Sequence, residues 1–139
     1  MVLVHSDGND QHIIDNLGTL DALQAIKERG LIRASGMSTK TVAGGIAAAS
    51  QSDIVMLTYN LDYRDEEAVL DACARHGCAA LIKKALASGH LNNRHDDPVA
   101  ASMELIFRHS ATSAAIIGTI TPAHLEQNVL AAKRSLAGN

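Results

Sequence analysis

Five short apolar runs in this sequence each end on polar or hydroxyl-bearing residues or on a glycine. The residues at these ends are His5, Ser6 and Asp7; Ser38 and Thr39; Tyr59 and Asn60; Lys83 and Lys84; and Gly118 and Thr119. If the runs are parallel strands of one sheet, their carboxyl ends lie along one edge, where α/β proteins bind ligands. The spacing therefore predicts a concave polar site. A single polar strand end carries little information, but five in succession favour this interpretation.

The stretch GTITPAHLEQN (118–128) makes the most specific chemical suggestion. A glycine-led loop precedes Thr121, a good helix N-cap residue, and Pro122 would take the first helical position. A helix N-terminus offers unpaired N–H groups and a partial positive charge, which suit a phosphate. An ordinary capped helix is the alternative. Similar alternatives hold for His5 as a buried, hydrogen-bonded side chain and for Lys83 and Lys84 as a solvated loop pair.

Other chemistries find no support in the sequence. There is no GxSxG elbow and no Cys–His arrangement of the kind used in nucleophilic hydrolysis. Cys73 and Cys78 do not form a CxxC motif, and no second pair completes a zinc site. We interpret them as core or helix-end thiols. The net charge of −3 and the absence of a basic run do not favour a nucleic-acid surface.

The elements that would position these residues alternate along the chain. Strands are predicted at 2–5, 31–37, 53–60, 78–82 and 113–118, and helices at 16–29, 39–50, 65–76, 99–109 and 122–135, with a polar loop at 83–98. Near-continuous apolar runs indicate a parallel sheet covered on both faces. An open doubly wound sheet and part of a (β/α)8 barrel both fit, and length favours the former because a barrel needs about 250 residues.

The length and composition limit the class of protein. The 139 residues predict a single domain over 1–139, with a core of Ala, Leu, Ile and Val because Trp is absent and aromatics make up 2%. No apolar run approaches the length of a membrane span, and the first apolar run is too short for a signal peptide. We therefore expect a cytoplasmic protein with no membrane partner. No GxGxxG follows the first strand, which argues against a dinucleotide-binding Rossmann unit.

Taken in order, these segments resemble the C-terminal part of the aldo-keto reductases. The matching stretches are LVHSD (3–7), LDALQAIKERGLIRASGMST (20–39), DIVMLTYNL (53–61), LIKKALASGHL (81–91) and IIGTITPAHLEQN (116–128). The resemblance implies an incomplete (β/α)8 TIM barrel of five parallel β-α units, corresponding to strands four to eight. It also implies an oxidoreductase that uses NADPH or NADH to reduce a small aldehyde or ketone.

The resemblance assigns roles to individual residues. His5 matches the catalytic histidine that orients and polarises the substrate carbonyl. The implied cofactor contacts are Ser38, Thr39 and Met56 at the carboxamide; Lys83, Lys84, Ala85 and Leu86 at the nicotinamide and pyrophosphate; and Gly118, Thr119, Ile120, His124, Gln127 and Asn128 at the adenosine phosphate and adenine. No metal is implied.

Several positions depart from the family pattern. Thr39 stands where an asparagine is usual, Met56 where a glutamine is frequent, and Gln127 where a glutamate is common. His124 replaces an arginine that many members use on the 2′-phosphate. Because a neutral imidazole binds a dianion less well than a guanidinium does, the choice between NADPH and NADH stays open.

The family's proton donor is a tyrosine, tuned by a lysine and an aspartate, and all three lie on the first three strands. Neither Tyr59 nor Tyr63 matches that tyrosine. Reduction needs an acid for the forming alkoxide, so we expect little or no reduction by this chain alone. A non-catalytic half-barrel that binds nucleotide or serves in assembly is the alternative. The chain is then a fragment, a self-associating partial barrel or a rearranged open sheet. We expect a homo-oligomer that covers the open sheet edges.

Overall fold

The computed structural model describes residues 1–89 and 95–138 as strands and helices that alternate along the chain. The elements are β1 (Val2–His5), α1 (Asp10–Asp15), α2 (Thr19–Glu28), β2 (Ser35–Ser38), α3 (Val42–Ala49), β3 (Ile54–Thr58), α4 (Glu67–His76), β4 (Ala79–Lys83), a 3₁₀ turn (Ala87–Gly89), α5 (Pro98–Phe107), β5 (Thr112–Ala115) and α6 (Pro122–Ala137). The alternating order predicted from the sequence is confirmed.

All five strands are parallel and lie in the order β1-β2-β3-β4-β5. A doubly wound sheet reverses its direction of growth at a switch point, whereas here each strand is added on the same side of the last. Because such crossovers are right-handed, the connecting helices all pack on one face. The open doubly wound sheet is therefore wrong, and the incomplete (β/α)8 barrel is confirmed.

The main core lies between the sheet and the helices. Side chains of the central strands alternate between this core and the opposite face, which corresponds to the barrel interior. Fully buried side chains of the core include Met37, Val55, Leu57, Val69, Leu70, Ile82 and Ile106. The alternate residues, such as Ser38 and Met56, therefore face the interior.

Two element starts and one additional helix differ from the prediction in the first third of the chain. α2 begins only after Gly18, whose φ of 62° is left-handed. α1 was not predicted, because a six-residue helix with two buried apolar residues, Ile13 and Ile14, shows no clear periodicity. β2 begins at Ser35 rather than at residue 31, since Gly30 has a φ of 74° and Leu31 is exposed.

Differences also occur near the site. Lys83 belongs to β4, so the predicted polar loop begins one residue later, and residues 90–94 of that loop lie outside the described residues. β5 covers residues 112–115 rather than 113–118. The segment after it therefore approaches α6 as an irregular chain.

Asp10 joins α1 to the turn between β2 and α3. Its side chain is buried, and Oδ2 accepts hydrogen bonds from the N–H groups of Lys40 (2.9 Å) and Thr41 (2.7 Å) and from Thr41 Oγ1 (2.7 Å). Burial raises the pKa of Asp10, but hydrogen bonding from Ser6, Thr41 and Lys40 outweighs it and holds the pKa below its usual range. A Cβ on Gly44 would overlap Asp10, so this glycine leaves room for the carboxylate.

Gly36 lies in β2 between the neighbouring strands β1 and β3. It pairs with Leu3 on one side and Ile54 on the other. A Cβ on Gly36 would overlap the Ile54 carbonyl oxygen and lie 3.0 Å from Leu3 Cδ2. The sheet therefore requires a glycine at this position.

We expect Gly36→Ala to lower the free energy of unfolding by about 3 kcal/mol, because backbone atoms must move to admit the methyl group. Urea denaturation measures the change. Gly138→Ala is the matched control, since the nearest atom to its Cβ lies 3.7 Å away. Equal stabilities of the two variants would contradict this account of the β2–β3 contact.

Asp10→Asn should lower the free energy of unfolding at neutral pH by about 2 kcal/mol, because hydrogen bonds to a buried charge are lost. A carboxyl with a lowered pKa in the folded state stabilises above its unfolded pKa, about 3.9, and that contribution is lost as the pH falls through the folded pKa. Wild-type stability should thus fall more on acidification than that of Asp10→Asn. Asp21→Asn, at an exposed position, is the control. If the free energy of unfolding of Asp10→Asn falls on acidification as much as that of the wild type, this account of Asp10 is contradicted.

Candidate functional site

Three sequence-predicted residues lie side by side on the interior face of the sheet. In the pairing register His5 lies opposite Ser38, and Ser38 lies opposite Met56. All three are at or near the carboxyl ends of their strands. We call His5, Ser38 and Met56 the interior row.

Lys83 reaches the interior row from β4, two strands away from Ser38. Its Nζ donates hydrogen bonds to Ser38 Oγ (3.1 Å) and to the Thr39 carbonyl oxygen (2.6 Å). Burial lowers the pKa of Lys83, and the nearby Glu66 carboxylate partly opposes that effect. The ammonium therefore joins the ends of β2 and β4 across β3.

Glu66, just before α4, was not identified as part of the site by the sequence prediction. It is buried, and Oε2 accepts a hydrogen bond from the Thr58 N–H group (3.2 Å). Burial raises the pKa of Glu66, while the charge of Lys83 acts in the opposite direction. In sequence it looked like an ordinary acidic residue near a helix N-terminus, and no local signal distinguishes it.

A cleft of about 610 Å³ follows the carboxyl ends of β4 and β5, a volume suited to a small ligand. It is lined by residues 84–86, 88 and 89 after β4, Val99 of α5, residues 116–119 after β5 and the first turns of α6. Eight of the predicted cofactor residues line it: Lys84, Ala85, Leu86, Gly118, Thr119, His124, Gln127 and Asn128. The structure thus brings together two segments that are more than 25 residues apart in the chain.

The loop after β4 has an uncommon backbone. Lys84, Ala87 and Ser88 have φ values of 54°, 47° and 57°, in the left-handed region that non-glycine residues rarely adopt. The Asn60 side-chain amide donates to the Lys84 carbonyl oxygen (3.0 Å), and the Ala87 N–H group donates to the same oxygen (2.9 Å). These bonds hold the loop against the cleft.

Asn60 is buried and acts as an anchor between two loops. Its Oδ1 accepts hydrogen bonds from the N–H groups of Asp62 (3.0 Å) and Tyr63 (2.9 Å), while its amide binds Lys84. The sequence placed Asn60 correctly at a strand end. Its side chain supports the lining of the cleft from behind.

α6 begins as the sequence predicts, with Thr121 at the N-cap and Pro122 as the first helical residue. The Thr121 side chain makes no capping bond; instead its N–H group donates to Thr119 Oγ1 (3.2 Å). The N-cap side chain therefore leaves the first turn of α6 uncapped, and the partial positive charge of the helix start lies beside the cleft. These features fit the phosphates of a dinucleotide.

Two predicted cofactor residues lie apart from both groups. Ile120 is fully exposed and does not line the cleft. Thr39 is completely buried, and a Cβ on Gly45 of α3 would lie 3.3 Å from its Oγ1, so its side chain is on the helix side of the sheet. The Thr39 carbonyl oxygen accepts a hydrogen bond from Lys83 Nζ, which also binds Ser38 of the interior row.

The two cysteines lie away from this site. Both are free and buried, and the Cys78 N–H group donates to the Cys73 carbonyl oxygen (2.9 Å) around Gly77, which has a φ of 68°. Gly77 is thus the left-handed cap that ends α4. The two buried thiols beside it fit the interpretation as core or helix-end residues. In residues 1–89 and 95–138 no three His, Cys, Asp or Glu side chains are grouped to hold a metal ion, and no helix is long and apolar enough to span a membrane.

Comparison with known proteins identifies close structural relatives. Two solved structures from Pseudomonas aeruginosa, provisionally described as aldo-keto reductases, are 48% identical and superpose with TM-scores of 0.88 and 0.87. Each covers 97% of this chain, whereas this chain covers 50% and 52% of theirs. The chain therefore spans about half the length of these relatives.

A more distant structure shares the fold. An aldo-keto reductase from Bacillus halodurans in its holo form is 19% identical, with a TM-score of 0.79 over 95% of this chain and 55% of that chain. No family model matches the chain, and no curated protein matches it. The identity to the first two structures, together with the five-stranded parallel sheet, shows that this chain is a partial (β/α) barrel of the aldo-keto reductase family.

Proposed function

We propose that this chain is the dinucleotide-binding part of an NAD(P)H-dependent oxidoreductase that reduces aldehydes or ketones. The observation that carries the proposal is the cleft, because eight residues expected to bind the cofactor line one cavity of suitable size. When bound, the cofactor supplies the hydride. Relatives described as aldo-keto reductases support the reaction class.

The residues of the chain divide this task between them. Thr119 and the uncapped first turn of α6 would hold the phosphates, and His124 and Gln127 the adenosine end. Lys84 is the lysine that lines the cleft, and its charge favours an anionic ligand. His5, in the interior row, would orient the carbonyl oxygen of the substrate.

Proton supply is where this chain differs from a complete reductase. Tyr59 is buried in the core on the helix side, and burial raises its pKa above the usual value. It therefore has no access to the interior row, and we propose that the chain binds nucleotide without reducing carbonyls efficiently by itself.

The alternative proposal is an assembly module without catalysis. Among the described residues β1 and β5 each pair with a single strand, and α6 exposes Leu125, Val129, Leu130 and Leu136. An open strand edge beside exposed apolar residues favours association. A folded homo-oligomer that binds neither NADPH nor NADH would support this alternative.

The cytoplasmic location stays a prediction.

We expect NADPH and NADH to bind the purified chain with micromolar affinity, measured by the change in nucleotide fluorescence. Gly118→Leu should weaken binding by about tenfold or more, because the added side chain would enter the cleft. No atom lies within 4 Å of a Cβ at Gly118, so the fold should tolerate it. Gly138→Leu, at the end of α6, is the control; unchanged affinity in Gly118→Leu would place the nucleotide elsewhere.

His124→Arg should raise the affinity for NADPH relative to NADH by about tenfold, because a guanidinium forms paired charge-assisted bonds with the 2′-phosphate. The gain should shrink as salt increases. Competitive titration of the two nucleotides measures the ratio. His76→Arg, at the end of α4, adds the same charge away from the cleft; an equal gain there would show a general charge effect.

A further inference from the structure

The end of α4 brings together the two cysteines of the chain. Cys73 lies in the last turn of α4, and Cys78 follows Gly77, the left-handed residue that ends the helix. The Cys78 N–H group donates to the Cys73 carbonyl oxygen (2.9 Å) and so closes the helix end. Helix endings with this bond place the side chains of the two bonded positions in contact. Here both side chains are thiols, and the sequence contains no third cysteine that could compete as a partner.

The two thiols interact with each other inside the core. Cys73 is 0% exposed and Cys78 is 4% exposed. The hydrogen bond between their sulfur atoms lowers the pKa of Cys73, against the effect of burial, and raises the pKa of Cys78. The Cys78 thiol also lies 3.8 Å from the Ala79 carbonyl oxygen, too far for a strong hydrogen bond. One thiol of the pair therefore ionises first while the other keeps its proton.

A second cavity, at the surface, borders this pair. It has a volume of about 300 Å³ and is lined by both cysteines together with the exposed residues Ala74, Gly77, Ser110 and Ser113. Such a volume admits a molecule as small as a hydroperoxide. The cavity lies at the amino end of β4, whereas the cleft follows the carboxyl end of that strand, and no residue lines both. The chemistry of the two thiols is therefore separate from nucleotide binding.

We propose that Cys73 and Cys78 form a redox-active dithiol, which a small hydroperoxide converts into an intrachain disulfide. The thiolate of one cysteine attacks a peroxide oxygen and breaks the O–O bond, which gives a sulfenic acid and releases water or an alcohol that takes up the thiol proton. The other thiol then attacks the sulfenic sulfur, forms the S–S bond and releases water. The two sulfur atoms together lose two electrons, which the peroxide gains. Exchange with a reduced dithiol restores both thiols.

The test treats the reduced chain with hydrogen peroxide. For the wild type we expect mass spectrometry to show the loss of two hydrogen atoms, a non-reducing gel to show no disulfide-linked dimer, and dithiothreitol to restore both thiols. In Cys73→Ala and Cys78→Ala the remaining thiol has no second thiol to attack its sulfenic acid, so dimedone should label these variants and not the wild type. Alanine suits both sites because a buried cysteine packs as a small apolar residue, and circular dichroism checks that each variant folds.

A titration with reduced and oxidised glutathione measures how strongly the fold favours the disulfide. The equilibrium constant for disulfide formation should be about tenfold higher in the folded chain than in the same chain unfolded in urea, because the end of α4 holds the two thiols in contact. Equal constants, disulfide-linked dimers, or equal dimedone labelling of the wild type and the variants would overturn the proposal. None of these measurements involves a nucleotide, so this proposal and the proposed function can fail independently.

Discussion

The parallel pairing of each strand with its sequence neighbours is the constraint on which the rest of the structure depends. Because β1 to β5 are added in one direction, every carboxyl end lies on one edge and every helix on one face. Gly36 allows the close approach of β3 to β2 that keeps this register. The interior row exists because the register places His5, Ser38 and Met56 opposite one another.

Two adjacent residues, Lys83 and Lys84, serve different parts of the site. Lys83 is the last residue of β4 and directs its amine across β3 to Ser38. Lys84 has a left-handed φ, which turns the chain out of the strand and into the lining of the cleft. Asn60 holds this turn by binding the Lys84 carbonyl oxygen. The backbone turn at Lys84 therefore links Lys83, which is bound to Ser38 of the interior row, to the lining of the cleft.

The sequence predicts what local patterns determine and misses what depends on contacts between distant segments. The ends of β1, β2 and β4 follow to within one residue from where the apolar runs stop, and the start of α6 follows from Thr121 and Pro122. The bond between Lys83 and Ser38 joins residues 45 positions apart, and Asp10 binds the turn 30 positions away. Neither contact has a local signal, because a lysine at a strand end or an aspartate in the first turn of a short helix is compatible with full solvation.

The position of the core separates the two parts of the site. Met37, Val55 and Ile82 are fully buried between the sheet and the helices, so the core does not require a filled barrel interior. The cleft is lined by the segments that follow β4 and β5, by Val99 of α5 and by α6, whereas the interior row faces a surface that a complete barrel would enclose. Nucleotide binding should therefore depend on the packing of these five β-α units, and the positioning of a carbonyl substrate on what encloses His5. For this reason we expect binding and reduction to be separable in this chain.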